Sequence, residues 1–412
     1  MKKTKYTVMS AMLLIFSCAN TGAGNNNNID PSLFKGIDAA AHNGNYQEAV
    51  NDFDANKNKL YTMNSVILYE LDAGILNHYA GNHDASIEFL REAERHIEEA
   101  YTKSISKREA SGFAGDNLLE YESEDFEDIY VNLFNALNYY HKDKIESAVV
   151  EARRINEKLA FLENKYSVSS KEMQARAGQG DNIDYVSSKF ANSALGRYLG
   201  VLFHRASGNE NGVRVDYDWL KAAFNNAPEI YDFPIPSTAS GEIAVPRGMA
   251  RLNVIGFSGL SPVKKAAVVQ QQLYDEGNYV SAAVSVLEPR PSLVNRIEIK
   301  FDNGQTVKLE KLENLEAVYN ETYKKKFNLV LIRTLLRNSI MKTGLNLDKV
   351  DVRSSRFFPA WAWVTGINLN PGTYSFVINY YDSGNQVIHS VKMDNVDVKE
   401  GRLNLAEAYC LK

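Results

Sequence analysis

From Pro31 to about Pro228, apolar residues recur every three or four positions, the rhythm of amphipathic helices. Phe34, Ile37 and Ala41 share one such face; after a Gly44-Asn45 break, Tyr46, Ala49, Val50 and Phe53 resume it. The phrase returns with Ile67, Leu71, Ile75 and Tyr79, the break Gly81-Asn82, then Ile87, Leu90, Ala93 and Ile97. The two Gly-Asn breaks stand 37 residues apart, close to a helix-turn-helix period. A third pair begins at Phe126, turns at His141-Lys142-Asp143 and runs to Leu159. A fourth, weaker pair spans Phe190 to Phe224 around Gly208-Asn209. Gly- and Ser-containing stretches at 104–124 and 167–184 read as loops inserted between pairs. A lone hairpin cannot bury its own apolar face, so hairpins stack, and the expected product is an α-solenoid with a concave face.

Beyond Pro228 the period changes. Prolines 234, 236 and 246 mark an extended linker over 229–250, and Arg251 to Phe257 alternates as a strand. Val294 to Phe301 alternates again, Asp302-Asn303-Gly304-Gln305 supplies a hairpin turn, and Val307 begins the return. A helix is expected from about Glu313 to Lys342, then strands from Phe357 onward with turns at Pro371-Gly372 and Asp382 to Asn385. Gly277-Asn278-Tyr279-Val280-Ser281-Ala282 imitates the turn at Gly44, but Glu288-Pro289-Arg290-Pro291 stops a long helix, so a further helical repeat there is the weaker reading. The expectation is a multidomain α+β chain: helical repeats over 31–228, the linker, a mixed β/α region over 251–350 and a small β domain over 351–412.

The N-terminus reads as a secretory signal over 1–17, with Lys2, Lys3 and Lys5 ahead of an apolar run from Val8 to Phe16. That run is about half the roughly 20 residues a membrane-crossing helix needs. Ile15-Phe16-Ser17-Cys18 resembles a lipobox, with Phe16 departing from its stricter form, and makes Cys18 the expected lipidation site; an ordinary signal with a chance cysteine is the competing reading. Residues 18–30, centred on Asn25 to Asn28, are too polar to bury a core and read as a tether. The chain has only two cysteines, which excludes a disulfide framework. Losing the three signal lysines takes the formal charge from −5 to −8. That argues against nucleic acid, or an anionic membrane surface, as the main partner. The 23 tyrosines are numerous for this length, and Tyr suits half-buried, wet positions.

Asn135-Ala136-Leu137-Asn138-Tyr139, followed by Ala148-Val149-Val150-Glu151-Ala152-Arg153-Arg154, resembles a family of uncharacterised bacterial envelope lipoproteins with tetratricopeptide-like repeats. Gly115 to Leu119, Gly256 to Pro262 and Leu369 to Tyr374 resemble it too, so the likeness spans most of the mature chain, the Asn135 to Arg154 block being its specific part. The resemblance implies lipid anchoring, tetratricopeptide-like hairpins and, from better-known members, company with proteins that stimulate cell-wall synthases. It supplies no catalytic residue.

The seven histidines fall in no metal-ligand spacing; His78 and His83 flank one turn, two ligands without a third. Gly256-Phe257-Ser258-Gly259 lacks the spacing of a nucleophile elbow, and no phosphate-cradling loop occurs. The acidic run Glu120 to Glu127 is explained by a helix start. No catalytic residue, metal or cofactor is therefore expected. The candidate binding residues are Asn135, Asn138, Tyr139, Tyr140, Glu151, Arg153 and Arg154, since Arg and Tyr dominate binding hot spots; an internal Glu-Arg network is the competing account. The expected role is a non-enzymatic scaffold or adaptor anchored in a bilayer by acyl chains, holding an envelope protein or its extended segment. The alternative is an accessory factor in cell-wall or polysaccharide assembly that binds glycan or a synthase. The periplasmic face of the outer membrane is the expected location by analogy with a sorting rule, Ala19 rather than Asp following Cys18. Oligomeric state is not legible.

Overall fold

The computed structural model describes residues 30–107, 120–177, 190–272, 279–341, 345, 347 and 350–412. The expected signal, Cys18 and most of the tether lie outside them, as do the Ser111 to Asp116 loop and Gly277-Asn278. The chain is α+β, helices first and strands after.

Four antiparallel helical hairpins come first: α1 (Lys35–His42) with α2 (Tyr46–Leu60), α3 (Val66–Tyr79) with α4 (His83–Lys107), α5 (Asp125–His141) with α6 (Ile145–Ala177), and α7 (Ala194–Ala206) with α8 (Glu210–Asn226). All four turns close alike. The amides of Asn45, Asn82, Lys144 and Asn209 each donate to the carbonyl five residues earlier at 2.9 Å, on Ala40, Asn77, Tyr139 and His204. This is the Schellman bond, which requires a left-handed residue just before the donor. Gly44, Gly81 and Gly208 fill that position with φ of 80°, 77° and 73°, and Asp143 does so in the third hairpin with φ 54°. Consecutive hairpins pack α2 on α3, α4 on α5 and α6 on α7.

The second half forms two four-stranded sheets and a hairpin. One sheet orders β10 (Asn404–Cys410), β1 (Ala250–Ser258), β7 (Trp361–Leu369) and β6 (Glu310–Asn314); β1 runs parallel to β10 and antiparallel to β7. The other orders β5 (Thr306–Lys308), β4 (Arg296–Phe301), β8 (Gly372–Tyr381) and β9 (Val387–Val398). The expected division at residue 350 is not followed: strands from 351–412 flank β1 and pair with β4, so the two expected regions interleave. Tyr279 onward is strand, not helix; β3 (Tyr279–Glu288) pairs with β2 (Val263–Gln272), a strand the sequence pattern did not announce. The long helix α9 (Leu315–Met341) packs on β3. The stretch 229–250 is irregular but fastened: Ile230, Tyr231 and Ala239 are buried, and Glu242 is gripped by Arg205 and Arg251.

β1 explains the layering, because every one of its residues is buried. Ala250, Leu252 and Val254 point into the core between the sheets, while Ile255 and Phe257 join the core of the helices. The first sheet is thus a middle layer. Residues 350–360 cross the face that the hairpins share: Phe357 packs on Phe34 and Phe53, and Phe358 on Phe126 and Phe134. Each buried ring of this kind contributes roughly 1.5–3 kcal/mol. Buried carboxylates rivet the same segment, Glu127 accepting from the Ser355 amide at 2.7 Å and Asp72 from the Arg356 amide at 2.9 Å.

Candidate functional site

The third hairpin carries most of the polar chemistry. Asn132, Asn135 and Asn138 recur every three residues along α5 and are all fully buried. Asn138 makes three side-chain hydrogen bonds. Its Nδ2 donates to Ser86 Oγ at 2.7 Å, and Ser86 passes its own proton to the Gly74 carbonyl. That fixes the amide, so Oδ1 accepts from both His78 Nδ1 at 2.8 Å and His83 Nδ1 at 3.0 Å, and both rings carry a proton on Nδ1. Asn135, one turn away, meets no partner among the described residues at either end of its amide.

The other expected binding residues separate into two groups. Tyr140 reaches the β layer, its hydroxyl accepting from the Leu405 amide at 3.0 Å, and Tyr139 is partly buried against the helical core. Glu151 is buried and accepts from Asn132 Nδ2 at 2.6 Å; Arg154 bridges Glu151 at 3.3 Å and Glu94 at 3.4 Å. Lys158 completes this network with Glu94 at 2.8 Å and Asp128 at 2.7 Å, tying α4, α5 and α6 together. Burial pushes the Glu151 carboxyl up, and Asn132 and Arg154 only partly oppose it. Arg153 faces outward, its side chain 69% exposed and, among the described residues, paired with Glu157 on its own helix. The internal Glu-Arg network therefore accounts for Glu151 and half of Arg154, and leaves Arg153 free of it. The inserted stretch over 104–124 lies largely outside the described residues.

A constellation that the sequence hinted at only through His78 and His83 lies where the second and third hairpin turns meet β10. His141 Nε2 pairs with Glu407 Oε1 at 2.7 Å; His78 Nε2 faces Tyr409 Oη at 2.9 Å and Glu407 Oε2 at 3.3 Å; Tyr409 donates to Glu407 Oε2 at 2.7 Å. The rings of His83 and His141 stack face to face, centroids 4.3 Å apart and planes 6° from parallel. Both line an open, shallow cleft of about 540 Å³ with Asn77, Asn82, Asp84 and Lys142. Burial opposes ionisation of Glu407, but the charge and hydrogen bond of His141, with help from His78, hold its carboxyl far below the usual range. Burial works against the charged form of His141 as well, and Glu407 outweighs it, so that ring is raised. His83 is lowered by burial first and by the charges of His141 and His78 besides.

The stack does not suit a metal. An ion about 2.1 Å from a nitrogen of each ring would lie far out of both planes when the planes are parallel and separated by a stacking distance. Among the described residues, Glu70, Glu92 and His96 come close enough together to share an ion, but His96 Nδ1 already bonds Glu70 at 2.8 Å and Arg95 lies at 2.7 Å from both His96 Nε2 and Glu92. A guanidinium stands where the cation would. Ser258 is buried and hydrogen-bonded by the Trp363 indole at 3.0 Å, and His204 faces a single carboxylate, Asp216, at 3.5 Å. The acidic run opens α5 as expected, through a capping box of Glu124 and Glu127; Lys264 and Lys326 hold Glu124, and burial together with Glu124 pushes Glu127 up to about 7.

No protein-family model matches this chain, and a search of curated proteins returns no match. Among the described residues no helix is long and apolar enough to cross a membrane.

Proposed function

We propose that this chain is an envelope lipoprotein, held to a bilayer by acyl chains on Cys18, that acts without catalysis as a scaffold for another envelope protein. The four hairpins with a shared Schellman turn support a tetratricopeptide-like solenoid. The observation that carries the reading is where apolar and cationic side chains remain exposed once the hairpins' shared face has been filled by the chain's own residues 350–360 and first sheet. Val150, Arg153, Arg154, Glu157 and Phe161 fall on one face of α6, with Val150 38% and Phe161 46% exposed. Docking belongs on that outer stripe rather than on a concave face that is already occupied.

The test is a photoreactive residue at Val150, irradiated in cells, with mass spectrometry of what it captures. A single envelope protein, lost when Arg153 and Arg154 are both changed to alanine in a variant of unchanged melting temperature, is the expected result. Links only within the chain would remove the stripe from consideration. Anchoring has its own check: Cys18→Ser should move the protein from the membrane pellet to the soluble fraction.

One observation favours the second reading, binding of glycan in cell-wall or polysaccharide assembly. Trp219 stands 46% exposed on α8 with Arg197 over its ring at 5.3 Å, an aromatic platform of the kind sugars stack on. Several tyrosine rings, by contrast, are spent in the core, among them Tyr79, Tyr121, Tyr130, Tyr198 and Tyr380. Cosedimentation with purified peptidoglycan that disappears in Trp219→Ala would support this alternative.

A further inference from the structure

The contact between the second and third hairpin turns and the β layer is made by imidazoles. His83 opens α4, His141 ends α5, and their stacked rings are each fixed from behind: His83 gives its Nδ1 proton to Asn138, and His141 gives its Nε2 proton to Glu407. We infer that this stack is an acid-operated fastening, which holds the two turns and β10 together while His83 is neutral and releases the α3–α4 turn when His83 takes a second proton.

The surroundings favour that proton only weakly: the Asn138 hydrogen bond and Glu407 support it, and burial, His141 and His78 oppose it. From α3 the ring faces His78; from its own helix, Asp84, which Lys144 also reaches; from the α5–α6 turn, His141 and, across the shared cleft, Lys142; from β10, Glu407, which Tyr409 also holds. The two carboxylates are already engaged, Asp84 with Lys142 at 2.7 Å and Glu407 with His141, His78 and Tyr409. With Nδ1 committed to Asn138, the second proton goes to Nε2, and two imidazolium rings then lie face to face. Like charges at this separation repel, and the soft element is the exposed Gly81-Asn82 turn rather than the buried strand.

The two rings act on stability with opposite signs. His141 is raised in the folded state, so its contribution is complete below 6.5 and fades as pH rises through its folded value. His83 is lowered, so the unfolded chain takes its proton first and stability is lost as pH falls below 6.5 through the folded value. The fastening is therefore tightest between the two titrations.

Imidazole resonances of the full folded chain, followed by NMR from neutral to mildly acidic pH, test this. His141 and His83 should titrate in two separate steps, His141 at the higher pH. In His141→Gln the His83 midpoint should move up by about one pH unit, because the facing charge is gone. Exchange of the Asn82 and Ser86 amides, which donate to the Asn77 and Asn82 carbonyls and so frame the turn, corrected for its intrinsic pH dependence, should rise over the His83 step while α7 and α8 stay protected, and in His83→Gln that rise should vanish. An unmoved His83 midpoint in His141→Gln overturns the proposal. So does a turn that keeps its protection throughout the His83 step in the unsubstituted protein, a measurement that needs no variant to fold.

Discussion

Asn135 and Asn138 sit one helical turn apart, equally buried, and substitution should affect them in opposite ways. Asn138 satisfies two ring N–H groups and a serine oxygen, so Asn138→Leu strands three polar atoms and should cost about 2–3 kcal/mol. Among the described residues Asn135 satisfies none, and removing a buried amide that has no partner is close to neutral or stabilising, by up to about 1 kcal/mol for Asn135→Leu. Urea midpoints at constant slope would separate the two; equal destabilisation would mean that Asn135 has a role its surroundings do not reveal. The sequence offered both residues as equals. Spacing places them on one face of a helix, but only the partners on α3 and α4 distinguish them, and those come from more than 50 positions away.

At the level of elements, what could be read in advance was local. All four turns stood out as Gly-Asn or His-Lys-Asp because a left-handed residue is a chemical requirement at one chain position. The same requirement predicts two substitutions. A Cβ on Gly81 would meet nothing within 4 Å, so Gly81→Ala should cost only the backbone strain of its φ of 77°, roughly 1–2 kcal/mol. Asp143→Gly relieves that strain in the third turn and should stabilise by about 0.5–1 kcal/mol, read by thermal melting. The β2–β3 hairpin was illegible for the complementary reason. Val263-Lys264-Lys265-Ala266-Ala267 has little alternation, its partner strand opens with a copy of the helical turn phrase, and only the pairing of Val263 with Glu288 through Gln272 with Tyr279 makes strands of both. The His83–Glu407 constellation escaped for a similar reason: histidines at turns are visible, but a strand some 270 residues later supplies the carboxylate.

For the molecule as a whole, the expected separation of helical and β parts meets an apolar core that runs from Phe34 to Leu411 and shares β1 with a second core between the sheets. Unfolding should follow suit, with helical ellipticity and tryptophan fluorescence lost in one coincident transition; two resolved transitions would argue for independent halves. Phe357→Ala, in the segment between the layers, should lower that single transition by about 3–5 kcal/mol. A fragment of residues 30–228 would expose Phe126, Phe134 and Tyr79 where Phe357 and Phe358 now lie, and should aggregate rather than remain a monomer.

The parallel pairing of β1 with β10 also fixes a timetable. While the chain is being made, β1 emerges some 150 residues before the neighbour that completes its sheet, and the hairpins ahead of it wait longer still for Glu407 and Tyr409. Through that interval the newborn polypeptide carries a greasy, unclosed flank in a crowded compartment. Where the chain folds as it is made, slowed synthesis between residues 258 and 404 should cost more product than slowing anywhere in the first hairpins.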